Sequence, residues 1–92
     1  MHSNIEKALT LSTAHITEKT ARWLDSKPKE LIIYPKRDYG WFISVGELEE
    51  EDLRNVPSDI LFLIGCATGT DCSWLQLDRD AAIVDSLPTF DW

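Results

Sequence analysis

Residues 73–85 read Ser73-Trp74-Leu75-Gln76-Leu77-Asp78-Arg79-Asp80-Ala81-Ala82-Ile83-Val84-Asp85 and carry the clearest structural pattern of the chain. Leu75 and Leu77 alternate with Trp74, Gln76 and Asp78, which is typical of a strand with one buried face. Gln76 should therefore be more exposed than either leucine. Arg79-Asp80 has the chemistry of a turn, so we predict that residues 82–85 return antiparallel as the second strand of a hairpin.

The rest of the chain predicts alternating strands and helices. Strands are expected from near Lys7 to near His15, at 31–34 and at 41–45. Helices are expected at 18–26, with Thr17 as N-cap, and at 59–68, with Ser58 as N-cap. Pro35 lacks a backbone donor, so the strand before it should lie at a sheet edge. The order βαββαβ, followed by one additional strand, predicts a ferredoxin-like α+β domain, a two-layer α/β sandwich with a mainly antiparallel sheet.

Length and composition indicate one globular domain over residues 1–92, with 43% hydrophobic and 27% charged residues. No apolar run approaches the roughly 18 residues of a membrane span. Met1-His2-Ser3-Asn4 does not resemble the start of a signal peptide. We therefore expect a monomeric cytoplasmic protein without a membrane partner. Cys66 and Cys72 fit reduced thiols in that compartment.

Charge is unevenly distributed along the chain. The formal net charge is −7, with about +2 on residues 1–46 and −9 on residues 47–92. Five acidic residues fall within six positions, and we expect them on an acidic surface loop or one irregular helical turn at 47–56. We call these five residues the acidic segment: Glu47, Glu49, Glu50, Glu51 and Asp52. An acidic surface repels nucleic acid and attracts basic protein surfaces, although it also fits a surface that only keeps the protein dissolved.

Reactive side chains are present, but their spacing does not predict catalysis or zinc binding. Ser12 and His15 lie near a strand end without a Gly-x-Ser-x-Gly elbow, so His15 is expected to hold the strand-to-helix corner by hydrogen bonds. Cys66, Cys72, His15 and His2 have the atom types of a zinc site, but the two cysteines do not form a Cys-x-x-Cys pair.

Asp78, Asp80 and Asp85 contain the carboxylates that a magnesium site would need. Asp78 and Asp80 flank a predicted turn, where aspartates are favoured because they bond the backbone. We therefore predict no metal, no cofactor and no enzymatic activity.

The stretch Arg37-Asp38-Tyr39-Gly40-Trp41-Phe42 is similar to the aromatic strand of an RNA-recognition module. In such a module two central strands offer aromatic rings to bases. The first strand of this chain, Leu9 to Thr13, offers none, and the acidic balance opposes general RNA affinity. Lys36 and Arg37 leave room for a local RNA contact through residues 37–45 within a larger assembly.

The chain ends in Phe90-Asp91-Trp92, and four tryptophans in 92 residues is a high count. A chain end frays unless it is held, so Phe90 and Trp92 either dock on the core or present an adhesive patch. Docking is the favoured alternative, because exposed terminal apolar groups reduce solubility.

Several segments together resemble a known bacterial family. They are Leu11-Ser12-Thr13-Ala14-His15-Ile16-Thr17, Asp38-Tyr39-Gly40-Trp41-Phe42, Cys72-Ser73-Trp74-Leu75, Leu77-Asp78-Arg79-Asp80 and Leu87-Pro88-Thr89-Phe90-Asp91-Trp92. The family comprises small uncharacterised proteins with a domain of unknown function, found on plasmids, prophages and genomic islands. Ala81 stands where the family often has glycine. The resemblance supplies no catalytic residues.

That resemblance implies an anti-CRISPR or other anti-defence protein of a mobile element, acting in the cytoplasm of a bacterial host. Such proteins bind a CRISPR effector complex and block its target nucleic acid, either by masking a subunit or by mimicking nucleic acid. The residues expected to bind the partner are the five acids at 47–52, Lys36, Arg37 and Trp92. Lys36 and Arg37 are also where a local contact with guide RNA is expected. The alternative is a small enzyme or ligand-binding domain that uses His15 with Cys72 or Asp78.

Overall fold

The computed structural model describes residues 6–92. Its elements are β1 (Ala8–Leu11), a 3₁₀ turn (Thr13–His15), α1 (Glu18–Asp25), β2 (Ile32–Lys36), β3 (Gly40–Ser44), α2 (Glu50–Leu53), α3 (Ser58–Gly69) and β4 (Trp74–Asp78). The predicted order βαββαβ and the α+β class are confirmed, with α2 as a single added helical turn. No helix within residues 6–92 is long and apolar enough to cross a membrane.

The four strands form one mixed sheet in the order β1-β4-β3-β2. β4 lies in the interior, parallel to β1 on one side and antiparallel to β3 on the other. Among the strands that the structure describes, β2 pairs only with β3, which confirms the edge position expected from Pro35. Two of the three strand pairings are antiparallel, as predicted.

One face of the sheet is buried against α1 and α3. Leu75 and Leu77 of β4 are fully buried and Gln76 is more exposed, which confirms the predicted register. Ile43 of β3 pairs with Leu75, so large aliphatic side chains from neighbouring strands meet in the core. The helices contribute small and branched residues to the same core: Ala21, Leu24, Ile60, Leu63, Ile64 and Ala67.

The predicted hairpin after β4 is wrong. Residues 79–92 contain no strand; they leave β4 through a turn in which Ala81 N–H donates to the Asp78 carbonyl at 3.1 Å. The turn was therefore expected correctly, but not the strand at 82–85. β1 and β3 already occupy both edges of β4, so no free ladder remains for a returning strand. We call residues 79–92 the C-terminal tail.

The N-termini of the two longer helices are joined by one carboxylate. Asp59 of α3 accepts hydrogen bonds from the Thr17 N–H at 2.8 Å and from the Thr20 hydroxyl at 2.7 Å. Thr17 caps α1 as predicted, accepting from the Thr20 N–H. α3 begins at Ser58, one residue earlier than expected, and Ser58 is not its N-cap.

Candidate binding surfaces

No element within residues 6–92 covers the sheet face opposite the helices, which we call the open face. Strand register places Thr10, Gln76, Phe42 and Tyr34 in one row across it, and Ala8, Trp74, Ser44 and Ile32 in the next. Ile32 is 59% exposed and Tyr34 is 55% exposed. The Tyr34 and Trp74 rings lie 6.1 Å apart. The open face therefore presents a band of aromatic and aliphatic side chains to solvent.

Strand order changes the comparison with an RNA-recognition module. That comparison treated the first strand as central, and β1 indeed carries no aromatic residue. The structure places β1 at an edge and makes β3 and β4 the central pair. Phe42 on β3 and Trp74 on β4 both belong to the open face. The sequence argument against base stacking thus relied on the wrong strand, although the acidic charge still opposes it.

Charges on the open face are balanced. Lys36 forms an ion pair with Asp78, and its ammonium lies 5.5 Å from the centre of the Phe42 ring. The hydrogen bond from Lys36 and one from the Asp80 N–H lower the pKa of Asp78 below its usual 3.8. Asp78 and Asp80 thus make the predicted turn contact, with the Asp80 N–H 2.8 Å from Asp78 Oδ1.

The acidic segment is the solvent-exposed helical turn that was one of the two expected forms. Glu47, Glu49, Glu50 and Glu51 are exposed. Asp52 has a structural role, because its carboxylate accepts from the Glu49 N–H at 3.1 Å and closes a capping box at the start of α2. Leu48 and Leu53 pack against the core and attach the segment to the domain.

The residues expected to bind a partner do not form one surface. Lys36 and Arg37 lie at the β2–β3 turn, whereas the acidic segment follows the other end of β3, about 17 Å away along a five-residue strand. Lys36 belongs to the open face. Arg37 and Trp92 instead line a common cavity.

His15 holds the C-terminal tail. It is only 2% exposed, and both ring nitrogens are engaged: Nδ1 lies 2.8 Å from the Pro88 carbonyl and Nε2 accepts from the Val84 N–H at 3.1 Å. These partners fit the neutral imidazole with its proton on Nδ1. The hydrogen bonding expected for His15 is therefore confirmed, but these bonds join the tail to the strand-to-helix corner.

Tail docking continues beyond His15. The Phe90 N–H donates to the Ala14 carbonyl at 2.9 Å, and the Trp92 indole N–H donates to the Ile16 carbonyl at 2.8 Å. Trp92 nevertheless remains 55% exposed. The two alternatives for the chain end are thus combined, since the tail is docked and still presents an aromatic ring.

The alternative enzyme site does not assemble in the described part of the chain. The polar contacts of His15 go to Val84 and Pro88, those of Cys72 to Thr70, and those of Asp78 to Lys36 and Asp80. Cys66 and Cys72 are free thiols. No group of three His, Cys, Asp or Glu residues in 6–92 is arranged to hold a metal ion. His2, one of the zinc-type side chains considered, lies outside the described residues.

A cavity of about 670 Å³ lies at the end of the sheet where β1 and β4 finish. Its walls come from the 3₁₀ turn, the end of α1, the β2–β3 turn and the C-terminal tail. Its principal side chains are Arg37, Tyr39, Trp41, Arg79, Phe90 and Trp92. The sequence did not indicate this cavity, because its walls lie far apart in the chain; only the aromatic and arginine content of the separate segments hinted at it.

Fold and surfaces together define a small two-layer α+β domain with an open aromatic sheet face and a cavity at one sheet end. The family model for the C-terminal domain of DUF5983, a family of unknown function, matches residues 8–92, so the chain belongs to that family. Searches of curated proteins and of solved structures each return no significant match.

Proposed function

We propose that this protein is a non-enzymatic inhibitor carried by mobile genetic elements. It binds a subunit of a nucleic-acid-handling defence complex of the bacterial host, most specifically a CRISPR effector, and blocks access of the target nucleic acid. The proposal rests on the open face, because Ile32, Tyr34, Phe42 and Trp74 lie on one sheet surface that no element of residues 6–92 covers. Aromatic side chains supply much of the energy at protein interfaces.

Charge favours a protein partner with a basic surface. The chain carries −7 overall, and the acidic segment begins three residues after Ser44, at the sheet end that holds Trp74 and Ile32. An aromatic centre bordered by acids complements an apolar patch beside lysines and arginines. The same acids repel the phosphate backbone, which makes RNA the less favoured occupant of the open face.

A plasmid-transformation assay tests the proposal in a strain whose CRISPR effector cleaves the incoming plasmid. The assay compares the wild-type protein with two matched variants. Wild-type protein should restore transformation by the targeted plasmid. Tyr34→Ser should abolish the restoration. Phe62→Ser is the matched control, because Phe62 is also 55% exposed but lies on α3 in the other layer. If the two variants behaved equally, the open face would not be the inhibitory surface. If the wild-type protein failed to restore transformation, that CRISPR effector would not be its target.

Binding to the purified effector separates the two surfaces and the two partner classes. Replacing the five acids of the acidic segment with Gln or Asn should slow association most at low ionic strength, with little change in Tm. Tyr34→Ser should instead speed dissociation. If wild type binds the guide RNA alone and Trp74→Ala removes that binding, the open face is an RNA surface and the protein-partner proposal fails.

A further inference from the structure

We propose that the cavity between the β2–β3 turn and the C-terminal tail binds a nucleotide, meaning a nucleobase that carries a phosphate group. The cavity lies at one end of the sheet and shares no side chain with the aromatic band of the open face. Its role is therefore independent of the partner proposed for that face. Its volume of about 670 Å³ falls within the usual range of ligand pockets.

Two guanidinium groups supply the phosphate-binding chemistry. Arg37 and Arg79 both line the cavity, and neither is ion-paired with a carboxylate within residues 6–92. The guanidinium carbon of Arg79 lies 4.7 Å from the centre of the Tyr39 ring. This cation–π contact orients the planar guanidinium group of Arg79. Guanidinium groups bind phosphate oxygens through paired charge-assisted hydrogen bonds.

Aromatic rings supply the base-binding chemistry. Trp41 and Trp92 enter the cavity from the sheet and from the tail, and both indoles are held in place. The Trp41 N–H donates to Asp25 Oδ1 at 3.0 Å, and the Trp92 N–H donates to the Ile16 carbonyl. Rings with a fixed orientation form a stacking platform that accepts the flat face of any base.

The carboxylates of the cavity set its polarity. Asp25 and Asp38 also line the cavity. Because their two negative charges balance the two arginines, the cavity is not a simple anion site. Carboxylate oxygens accept from the exocyclic amino groups of adenine, guanine and cytosine. Phosphate-binding arginines, stacking rings and acceptors in one cavity match a nucleotide better than phosphate or an apolar molecule alone.

Calorimetric titration of the full chain tests the ligand class. The probes are adenosine monophosphate, adenosine and ribose phosphate, followed by oligoadenylates with and without a terminal phosphate. Adenosine monophosphate should bind more tightly than adenosine or ribose phosphate. Binding of only the oligoadenylate with a terminal phosphate would identify a strand end as the source of the same chemistry. Failure of all phosphorylated probes, or equal affinity for adenosine and its monophosphate, would overturn the proposal.

Arginine variants test the location. Arg37→Gln and Arg79→Gln should each weaken binding of the phosphorylated probe about 10- to 100-fold, as expected for losing a hydrogen bond to a charged group. Arg54→Gln makes the same charge change at an exposed position outside the cavity and should leave the affinity unchanged. Thermal melts verify that all three variants fold. If all three variants weakened binding equally, the effect would come from general charge attraction, and the proposed location of the site would be wrong.

Discussion

Gly40 shows most directly how a single residue constrains this fold. It begins β3, opposite Asp78 of β4, with φ at +156°. A Cβ at this position would lie 1.7 Å from the carbonyl oxygen of Leu77. The backbones of β3 and β4 thus approach each other where no side chain fits, immediately beside the cavity.

Gly40→Ala should therefore destabilise the domain by about 2 kcal/mol or more, because both the backbone angle and the neighbouring strand oppose a methyl group. Thermal unfolding measures this as a fall in Tm of about 10 °C or more. Gly65→Ala is the control, since the new Cβ meets nothing within 4 Å on an exposed part of α3, and it should raise stability slightly. A Gly40→Ala variant that melts like wild type would contradict this account of the β3–β4 approach.

Asp78 gives the domain a predictable response to acid. Its pKa is lowered in the folded protein, so the Lys36–Asp78 contact contributes stability above the unfolded-state pKa of about 3.8 and loses it as pH falls through the lower folded value. Between about pH 5 and pH 2, Asp78→Asn should lose less stability than wild type in denaturant titrations. Asp85→Asn, which removes one carboxylate at an exposed tail position, is the charge-matched control. Parallel curves for wild type and Asp78→Asn would refute the linkage.

At the scale of elements, the C-terminal tail behaves as a structural unit without regular secondary structure. Three of its backbone groups bond to Ala14 and His15 of the 3₁₀ turn. Other tail amides donate to Tyr39, Asp78 or Val84, and none takes part in a strand ladder. Phe90 and Trp92 reach the cavity only because the tail follows this path.

His15→Ala should release the tail while leaving the sheet intact. We expect a loss of about 1–3 kcal/mol in the free energy of unfolding, because the buried bonds to Val84 and Pro88 disappear together. Hydrogen exchange should accelerate at the Val84 and Phe90 amides and stay slow in β4. Trp92→Phe is the milder comparison, since it removes only the indole bond to Ile16. Unchanged exchange at Val84 in His15→Ala would show that other contacts hold the tail.

At the scale of the whole molecule, strand order determines which surfaces exist. The open face, which no element of residues 6–92 covers, collects aromatic residues from β2, β3 and β4. The same order brings the ends of β1 and β4 together beneath the tail, where the cavity forms. The fold also separates the charges in space, because the acidic segment and the arginines of the cavity lie toward opposite ends of β3.

The sequence by itself determined the features that depend on neighbouring residues. Alternation of Leu75 and Leu77 defined the buried face of β4, Thr17 marked the start of α1, and Pro35 placed β2 at an edge. The turn after Asp78 was likewise expected from its aspartates. Each of these follows from side-chain periodicity, capping or a missing backbone donor, which act over a few residues.

Only the tertiary structure decided the strand order, the path of the tail and the cavity. β1 pairs with β4 across 66 positions, Leu11 opposite Leu77, and this pairing removes the edge that the predicted hairpin needed. His15 then binds a tail about 70 residues away in sequence. Such contacts depend on which strand edges and polar groups remain unoccupied after the chain has packed, and no local pattern carries that information.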